Sequence, residues 1–166
     1  MIPKFRAWYT PFGGSVKQFN KMKHGSAGSL LTHAEMSPDD YKIMQSTGLK
    51  GYMDDSYDDS EEKDVFKGDI IDIFWEEWPM GYYQENHMVG VVDLDETDTA
   101  WIIRNAKYDF DTPETIPSEI DGISVSMSLP DDEDLEEIFL HHFNLTSSDI
   151  TILGNIYENP ELLNLR

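Results

Sequence analysis

The sequence predicts a β-rich α+β fold, in the form of a small β-barrel with one or two packed helices. Several short runs of β-branched and aromatic residues are separated by turn residues, which is typical of strands. One stretch, about residues 130–143, has the apolar spacing of an amphipathic helix. Strands and helices do not alternate as in a βαβ sheet, and closure into a barrel would remove the exposed edges of short strands.

The first element that supports this fold is a long β-prone run at residues 65–75, which contains a Gly-Asp turn near its start. We predict it as the central strand. Shorter strands are expected at residues 4–9, 87–93, 99–104, 123–129 and 149–154, with residues 87–104 forming a hairpin across an acidic turn. The alternation of apolar residues with serine over 123–129 is the clearest strand pattern.

The helical elements are fewer. In the 130–143 stretch, Pro130 fits the first turn and an apolar stripe runs from Leu135 to Phe143. A final helical turn is expected after Asn159 and Pro160, and Ser37 followed by Pro38 suggests another helix start. Residues 41–49 fit either a helix or a strand that ends at a glycine turn, and periodicity leaves both open. Residues 16–33 have a weak pattern that suggests a basic arm or loosely ordered insertion.

Length and composition set further limits. A chain of 166 residues suits one domain over 1–166, which we divide into an N-terminal part with a basic flexible segment (1–50), an acidic loop (51–64) and a barrel core (65–166). The chain has no cysteine, which excludes disulfides and thiolate catalysis and fits a reducing compartment. No apolar run approaches the ~20 residues that span a bilayer, so we expect no membrane contact.

The charge distribution is strongly uneven. The chain has 33 acidic and 12 basic residues, for a net charge of −21. Residues 1–50 hold seven Lys/Arg and three Asp/Glu (+4), whereas residues 51–166 hold five Lys/Arg and thirty Asp/Glu (−25). Such a field repels nucleic acid and anionic membranes and attracts basic protein surfaces. Two acidic runs give a partner-binding hypothesis with these residues: Asp54, Asp55, Asp58, Asp59, Glu61, Glu62, Asp131, Asp132, Glu133, Asp134, Glu136 and Glu137.

Three blocks of the sequence resemble one protein family. They are residues 5–8 (Phe-Arg-Ala-Trp), residues 44–50 followed after a spacer by 65–71, and residues 154–163 (Gly-Asn-Ile-Tyr-Glu-Asn-Pro-Glu-Leu-Leu). Together they resemble the YopX family of phage and prophage proteins. The resemblance implies a phage origin, and hence the cytoplasm of a bacterial host, an SH3-like small barrel and homo-oligomers, but no activity. The spacer is longer and more acidic than is usual, and Lys67 replaces a common acidic residue.

The motif residues themselves are interpreted as structural. Gly48, Gly68 and Gly154 would supply positive φ or close backbone approach. Arg6 would pair with Asp69 or Glu158, and the core would include Trp8, Phe66, Ile70 and Tyr157. The full set of structural motif residues is Arg6, Trp8, Thr47, Gly48, Leu49, Gly68, Asp69, Gly154, Asn155, Tyr157, Glu158, Asn159 and Pro160.

No catalytic, cofactor or metal residue is predicted. Residues 91–97 match the Asp-x-Asp-x-Thr box of haloacid dehalogenase-like phosphatases, but the βαβ context is missing, so a hairpin turn is expected there. The same stretch lacks the glycine and glutamate of a calcium loop. His141 and His142 are adjacent and would point about 100° apart on a helix, which does not suit shared ligation.

Three functions are therefore considered. The first is a non-enzymatic phage accessory protein that binds a basic protein through its acidic surface, with nucleic-acid mimicry as the sharpest form. The second is a homo-oligomeric scaffold that the acidic residues keep soluble. The third is a nucleic-acid-binding small barrel that uses the basic N-terminal part, against which the whole-chain charge argues.

Overall fold

The computed structural model describes residues 3–53, 61–110, 119–120, 123–124 and 137–164. Over these ranges the fold is α+β and strand-rich, as predicted. The elements are β1 (Phe5–Tyr9), β2 (Lys21–Gly25), α1 (Ala27–Met36), β3 (Tyr41–Met53), β4 (Lys63–Phe66), β5 (Asp69–Glu77), β6 (Gln84–Leu94), β7 (Trp101–Phe110), β8 (Glu119–Ile120), β9 (Ile123–Ser124), β10 (Glu137–Phe139) and β11 (Ile150–Asn155). Short 3₁₀ turns connect several of them, the last at Pro160–Asn164.

Nine of these strands form one open sheet. Its order is β10-β7-β6-β5-β11-β3-β1-β2, with β4 also paired to β3. No pairing among the described strands joins β10 to β2, so the predicted closure into a barrel is wrong for this sheet. The edge strand β2 carries Lys21 and Lys23. Lysines on an edge discourage pairing with other chains, so the edge is protected without closure.

The core lies on one face of the strands around β5. Ile71 and Ile73 of β5 pack with Met88 of β6 and with Ile150 and Ile152 of β11. The last strand, β11, is inserted between β5, to which it is antiparallel, and β3, to which it is parallel. The predicted run at 65–75 therefore consists of two strands, β4 and β5, which have different neighbours.

The N-terminal part is more regular than expected. Residues predicted as a basic arm form β2 and the start of α1, and Ser26 caps that helix by accepting the Ser29 N–H at 3.3 Å. Leu30 of α1 is buried, which anchors the helix to the sheet. The helix ends at Met36, so the expected helix start at Ser37 is wrong. Residues 41–53 form the long strand β3, which resolves the open alternative.

The predicted helix at 130–143 is wrong over its described part. Residues 137–139 form β10, in which Ile138 pairs with Ile103 of β7, and Leu140–His142 is a 3₁₀ turn. The apolar residues still reach the core, but pairing at a sheet edge supplies backbone hydrogen bonds that local spacing does not reveal. Residues 130–136 lie outside the described residues, as do 125–129 of the predicted strand at 123–129. The hairpin β6–β7 is confirmed and is longer than predicted.

Candidate functional site

The three blocks that carry the family resemblance meet in one region. Residues 5–8 lie in β1, residues 44–50 and 65–71 lie in β3, β4 and β5, and residues 154–163 follow from the end of β11. Lys67 N–H donates to the Gln45 carbonyl at 2.9 Å, and Ile156 N–H donates to the Gly68 carbonyl at 2.9 Å. We call these four segments the motif junction. Segments far apart in sequence are thus joined by backbone hydrogen bonds.

A buried ion pair lies at the centre of the motif junction. Arg6 Nη2 donates to Asp69 Oδ1, and the two side chains are 10% and 1% exposed. Asp69 Oδ2 also accepts the Phe66 N–H at 2.8 Å. The Arg6 guanidinium carbon lies 4.6 Å from the centroid of the Phe66 ring, within cation–π range. Of the two partners expected for Arg6, the structure selects Asp69.

The environment of this pair is that of a structural contact. Burial raises the pKa of the Asp69 carboxyl above its ordinary value, although Arg6 and the Phe66 N–H both favour its charged form. The Nε atom of Arg6 is buried without a hydrogen-bond partner among the described residues. Burying these two charges costs desolvation free energy, and the fold tolerates that cost because the charges are paired with each other.

Glycines allow the segments of the junction to approach. Gly48 and Gly68 have φ values of +84° and +85°, which residues with a Cβ rarely adopt. A Cβ on Gly154 would overlap the side chain of Asn159. All three glycines therefore have the backbone roles predicted for them.

Asparagines close the turn that follows β11. The Asn155 side-chain oxygen accepts the N–H groups of Tyr157 at 3.0 Å and Glu158 at 2.9 Å. The Asn159 side-chain oxygen accepts the Asn155 N–H at 3.3 Å. Pro160 then begins the last 3₁₀ turn. These side chains satisfy backbone groups and so act in the fold.

Further motif residues make contacts elsewhere in the motif junction. Thr47 Oγ1 donates to the Val65 carbonyl at 2.9 Å and accepts the Leu49 N–H at 3.0 Å. Trp8 and Tyr157 stack with ring centroids 6.1 Å apart. These two rings are half-buried rather than central in the core, whereas Phe66 and Ile70 are buried as predicted.

A cleft of about 740 Å³ opens beside the ion pair. Its apolar wall includes Phe5 and Phe66, and Lys4 and Lys63 also line it. Lys4 pairs with Asp64 and Lys63 pairs with Glu61, each at 2.9 Å. These lysines and Arg6 therefore each lie beside a carboxylate of the fold.

The acidic runs are described only in part. Glu61 is exposed, and its hydrogen bond from Lys63 lowers the pKa of its carboxyl. Glu62 Oε1 accepts the Ser147 hydroxyl at 2.6 Å. Glu137 begins β10, where its backbone pairs opposite Arg104. The other predicted partner-binding residues lie outside the described residues: Asp54, Asp55, Asp58, Asp59, Asp131, Asp132, Glu133, Asp134 and Glu136.

A second exposed region was missed by sequence reasoning. It lies at the turn between β5 and β6, where Trp78, Met80, Tyr82 and Tyr83 are 58%, 64%, 36% and 44% exposed. We call these four residues the aromatic tip. The rings of Trp78 and Tyr83 pack edge to face with centroids 5.3 Å apart. The detectable signal is three aromatic residues within six positions, Trp78, Tyr82 and Tyr83.

Carboxylates surround the aromatic tip. Glu76 of β5 and Glu85 of β6 lie directly opposite each other. The Tyr83 hydroxyl is 2.8 Å from a Glu76 oxygen and 2.6 Å from a Glu85 oxygen, and these hydrogen bonds, the one to Glu85 first, raise the pKa of Tyr83. Glu77 accepts the Trp75 indole N–H at 3.0 Å. None of the ion pairs formed between described side chains includes these three glutamates.

The residues that resemble a phosphatase box have structural contacts. Asp95 Oδ1 accepts the N–H groups of Thr99 at 2.9 Å and Ala100 at 3.1 Å, which closes the β6–β7 turn. Asp93 pairs with Arg104 at 2.8 Å and Lys67 at 3.4 Å. The interpretation of this segment as a hairpin turn is therefore confirmed.

Within the described ranges, no group of three or more His, Asp and Glu side chains is arranged to hold a metal ion. No helix in the described part of the chain is long and apolar enough to cross a bilayer. Comparison with known protein families, with characterised proteins and with solved structures found no match for this chain.

Proposed function

We propose that this protein is a non-enzymatic accessory protein of a phage, which binds a basic protein through its acidic surface. The observation that carries the proposal is the separation of charge along the sheet. The strands β2 and β3 towards one end of the sheet carry Lys21, Lys23 and Lys42, whereas β5 and β6 carry Glu76 and Glu85. A surface with one sign of charge steers and orients a partner of the opposite sign.

The family assignment belongs to this proposal. Its support is that the three resembling blocks, which lie at the start, middle and end of the chain, form one hydrogen-bonded junction. For an SH3-like arrangement, the support is limited to one group of strands. In it, β3 pairs with both β4 and β11, and β5 also pairs with β11. A phage origin, and hence the bacterial cytoplasm, rests on the same resemblance.

The test is a pull-down from bacterial lysate at low and high salt, with the bound proteins identified by mass spectrometry. The comparison uses the wild type and a variant in which the acidic runs at 54–62 and 131–137 are replaced by Asn and Gln. We expect basic proteins to be retained at low salt, released at high salt and lost from the variant. If the partner is a nucleic-acid-binding protein, added DNA or RNA should compete. Equal recovery by the variant would contradict the proposal.

A second candidate is a homo-oligomeric scaffold. It is favoured by the exposed Leu31 and Met36 of α1. Large apolar side chains exposed on a helix surface commonly mark a contact with another chain, here a second copy. Light scattering at micromolar concentration tests it, and a monomer would argue against it.

A further inference from the structure

We propose that the aromatic tip and the glutamates around it bind arginine side chains from a basic segment of the partner protein. The inference rests on the proposed function, because it takes from it the charge of the partner. It adds a defined contact site and a preference for arginine over lysine. The site uses residues that do not belong to the acidic runs, so the two ideas are separable by mutation.

The aromatic tip exposes large apolar side chains to solvent. Trp78 and Met80 are more than half exposed at the end of a hairpin, with Tyr82 and Tyr83 beside them. Large apolar side chains grouped on a surface commonly mark a contact site, and aromatic residues are favoured as anchors in interfaces. The glutamates on both flanking strands give this apolar group a negative border, which matches a cationic partner rather than an apolar one.

One tyrosine hydroxyl bridges two carboxylates at the tip. A tyrosine hydroxyl has one hydrogen, so Tyr83 can donate to only one of Glu76 and Glu85 at a time. Both carboxylates nevertheless lie within 2.8 Å of that hydroxyl. Like charges placed directly opposite on paired strands repel each other. A cation with several N–H groups would donate to both carboxylates at once and would remove the repulsion.

The chemistry of the tip favours arginine over lysine. Its planar guanidinium presents five N–H donors, which suit a pair of carboxylates, and it stacks on aromatic rings. Trp78 and Tyr83 provide such rings beside the carboxylates, with centroids 5.3 Å apart. Lysine offers a compact charge that is more strongly hydrated and stacks less well. The arrangement therefore combines the two features that separate arginine from lysine.

The experiment measures binding of fluorescein-labelled nona-arginine and nona-lysine peptides by anisotropy at low salt. We expect the wild type to bind nona-arginine several-fold more tightly. The variant Glu76→Gln/Glu85→Gln should lose about tenfold in arginine affinity, because two close charge-assisted contacts are removed. The matched control is Glu96→Gln/Asp98→Asn, which removes the same charge from the exposed β6–β7 turn. That control should lose no more than about twofold through the long-range field alone.

A second variant tests the contribution of the Trp78 ring separately from that of the glutamate charges. Trp78→Ala should weaken nona-arginine binding and reduce its advantage over nona-lysine, while nona-lysine binding stays near the wild-type level. Its control is Met36→Ala, which removes another exposed apolar side chain. In ¹⁵N spectra, the Trp78 indole signal, assigned from its absence in Trp78→Phe, should shift with nona-arginine. Circular dichroism and melting curves verify that each variant is folded.

The outcomes distinguish this inference from the proposed function. Equal losses in the two double-charge variants, with no arginine preference, overturn the inference but leave the acidic-surface proposal standing. Failure of the wild type to bind either peptide at low salt overturns both. If the wild type is a dimer that Trp78→Ala converts to a monomer, the tip contacts a second copy and the inference is wrong.

Discussion

The motif junction and the aromatic tip treat charge in opposite ways. In the junction, Arg6 and Asp69 are buried and paired with each other. At the tip, Glu76 and Glu85 lie opposite each other at the surface, and both are within hydrogen-bond distance of the Tyr83 hydroxyl. A buried charge requires its partner within the same fold, whereas an exposed carboxylate pair tolerates solvent and remains available. The residues of the motif junction therefore support the fold, whereas the surface available for binding lies at the aromatic tip.

The largest expected effect comes from breaking the buried pair. Asp69→Asn leaves the Arg6 charge buried without a counter-charge, so we expect the free energy of unfolding to fall by about 3–5 kcal/mol. Urea denaturation followed by circular dichroism measures this. The exposed pair supplies the control, because Lys4→Met removes a contact between side chains that are 63% and 24% exposed and should cost about 1 kcal/mol or less.

The double variant Arg6→Met/Asp69→Asn, which keeps a side-chain oxygen to accept the Phe66 N–H, sharpens the same comparison. Because it removes both charges and so avoids an unpaired one, it should recover most of the stability lost in Asp69→Asn. A double variant as unstable as the single one would show that the pair stabilises the fold beyond mutual compensation.

The next effect tests packing in the junction. Gly154→Ala places a methyl group against the Asn159 side chain, so we expect a loss of about 1–3 kcal/mol in unfolding free energy. Gly28 of α1 has no atom within 4 Å of an added Cβ, so Gly28→Ala should instead stabilise the protein by about 0.5–1 kcal/mol. Thermal melts of the two variants would move in opposite directions, and a shared direction would refute the account of Gly154.

A smaller effect depends on pH. Although burial acts to raise it, the Leu94 N–H, Arg104 and Lys67 together hold the pKa of Asp93 below its ordinary value. A lowered folded-state pKa contributes stability above the unfolded value of about 3.9, and that stability is lost as pH falls through the folded value. Asp93→Asn should therefore cost about 0.5–1 kcal/mol at pH 7 and less as the pH falls below about 4. Urea denaturation at several pH values tests this, and a constant difference would contradict it.

The smallest effect is expected at the tip. Trp78→Ala removes an exposed side chain that fills no core space, so the unfolding free energy should stay within about 0.5 kcal/mol of the wild type. A loss above about 2 kcal/mol would mean that Trp78 supports the fold, and the contrast between the two regions would fail.

Sequence reasoning worked best where local pattern and fold agree. The strands β1, β5, β6, β7 and β11 follow from runs of β-branched and aromatic residues, and the roles of Gly48 and Gly68 follow from turn chemistry. It failed for 137–143, where helical spacing was equally suited to a short edge strand and a 3₁₀ turn. It also failed for α1, because the apolar pattern of this helix is weak and Leu30 is its one buried residue.

The candidate sites divide in the same way. The pairing of Arg6 with Asp69 was among the expected alternatives because two opposite charges stand in motif blocks. The aromatic tip was missed because exposure is a property of the folded surface. Trp75 and Trp78 look alike in sequence, yet Trp75 packs against the core and Trp78 is 58% exposed.

The sequence by itself determined the charge asymmetry, the lack of cysteine, the strand-rich character and the glycine turns, because each depends on composition or on neighbouring residues. Tertiary structure decided the insertion of β11 between β5 and β3, the open sheet and the burial of an ion pair whose members stand 63 residues apart. These features arise from long-range pairing, in which distant strands satisfy each other's backbone groups and bury a common apolar face. The local periodicity of a strand does not indicate which other strand will pair with it.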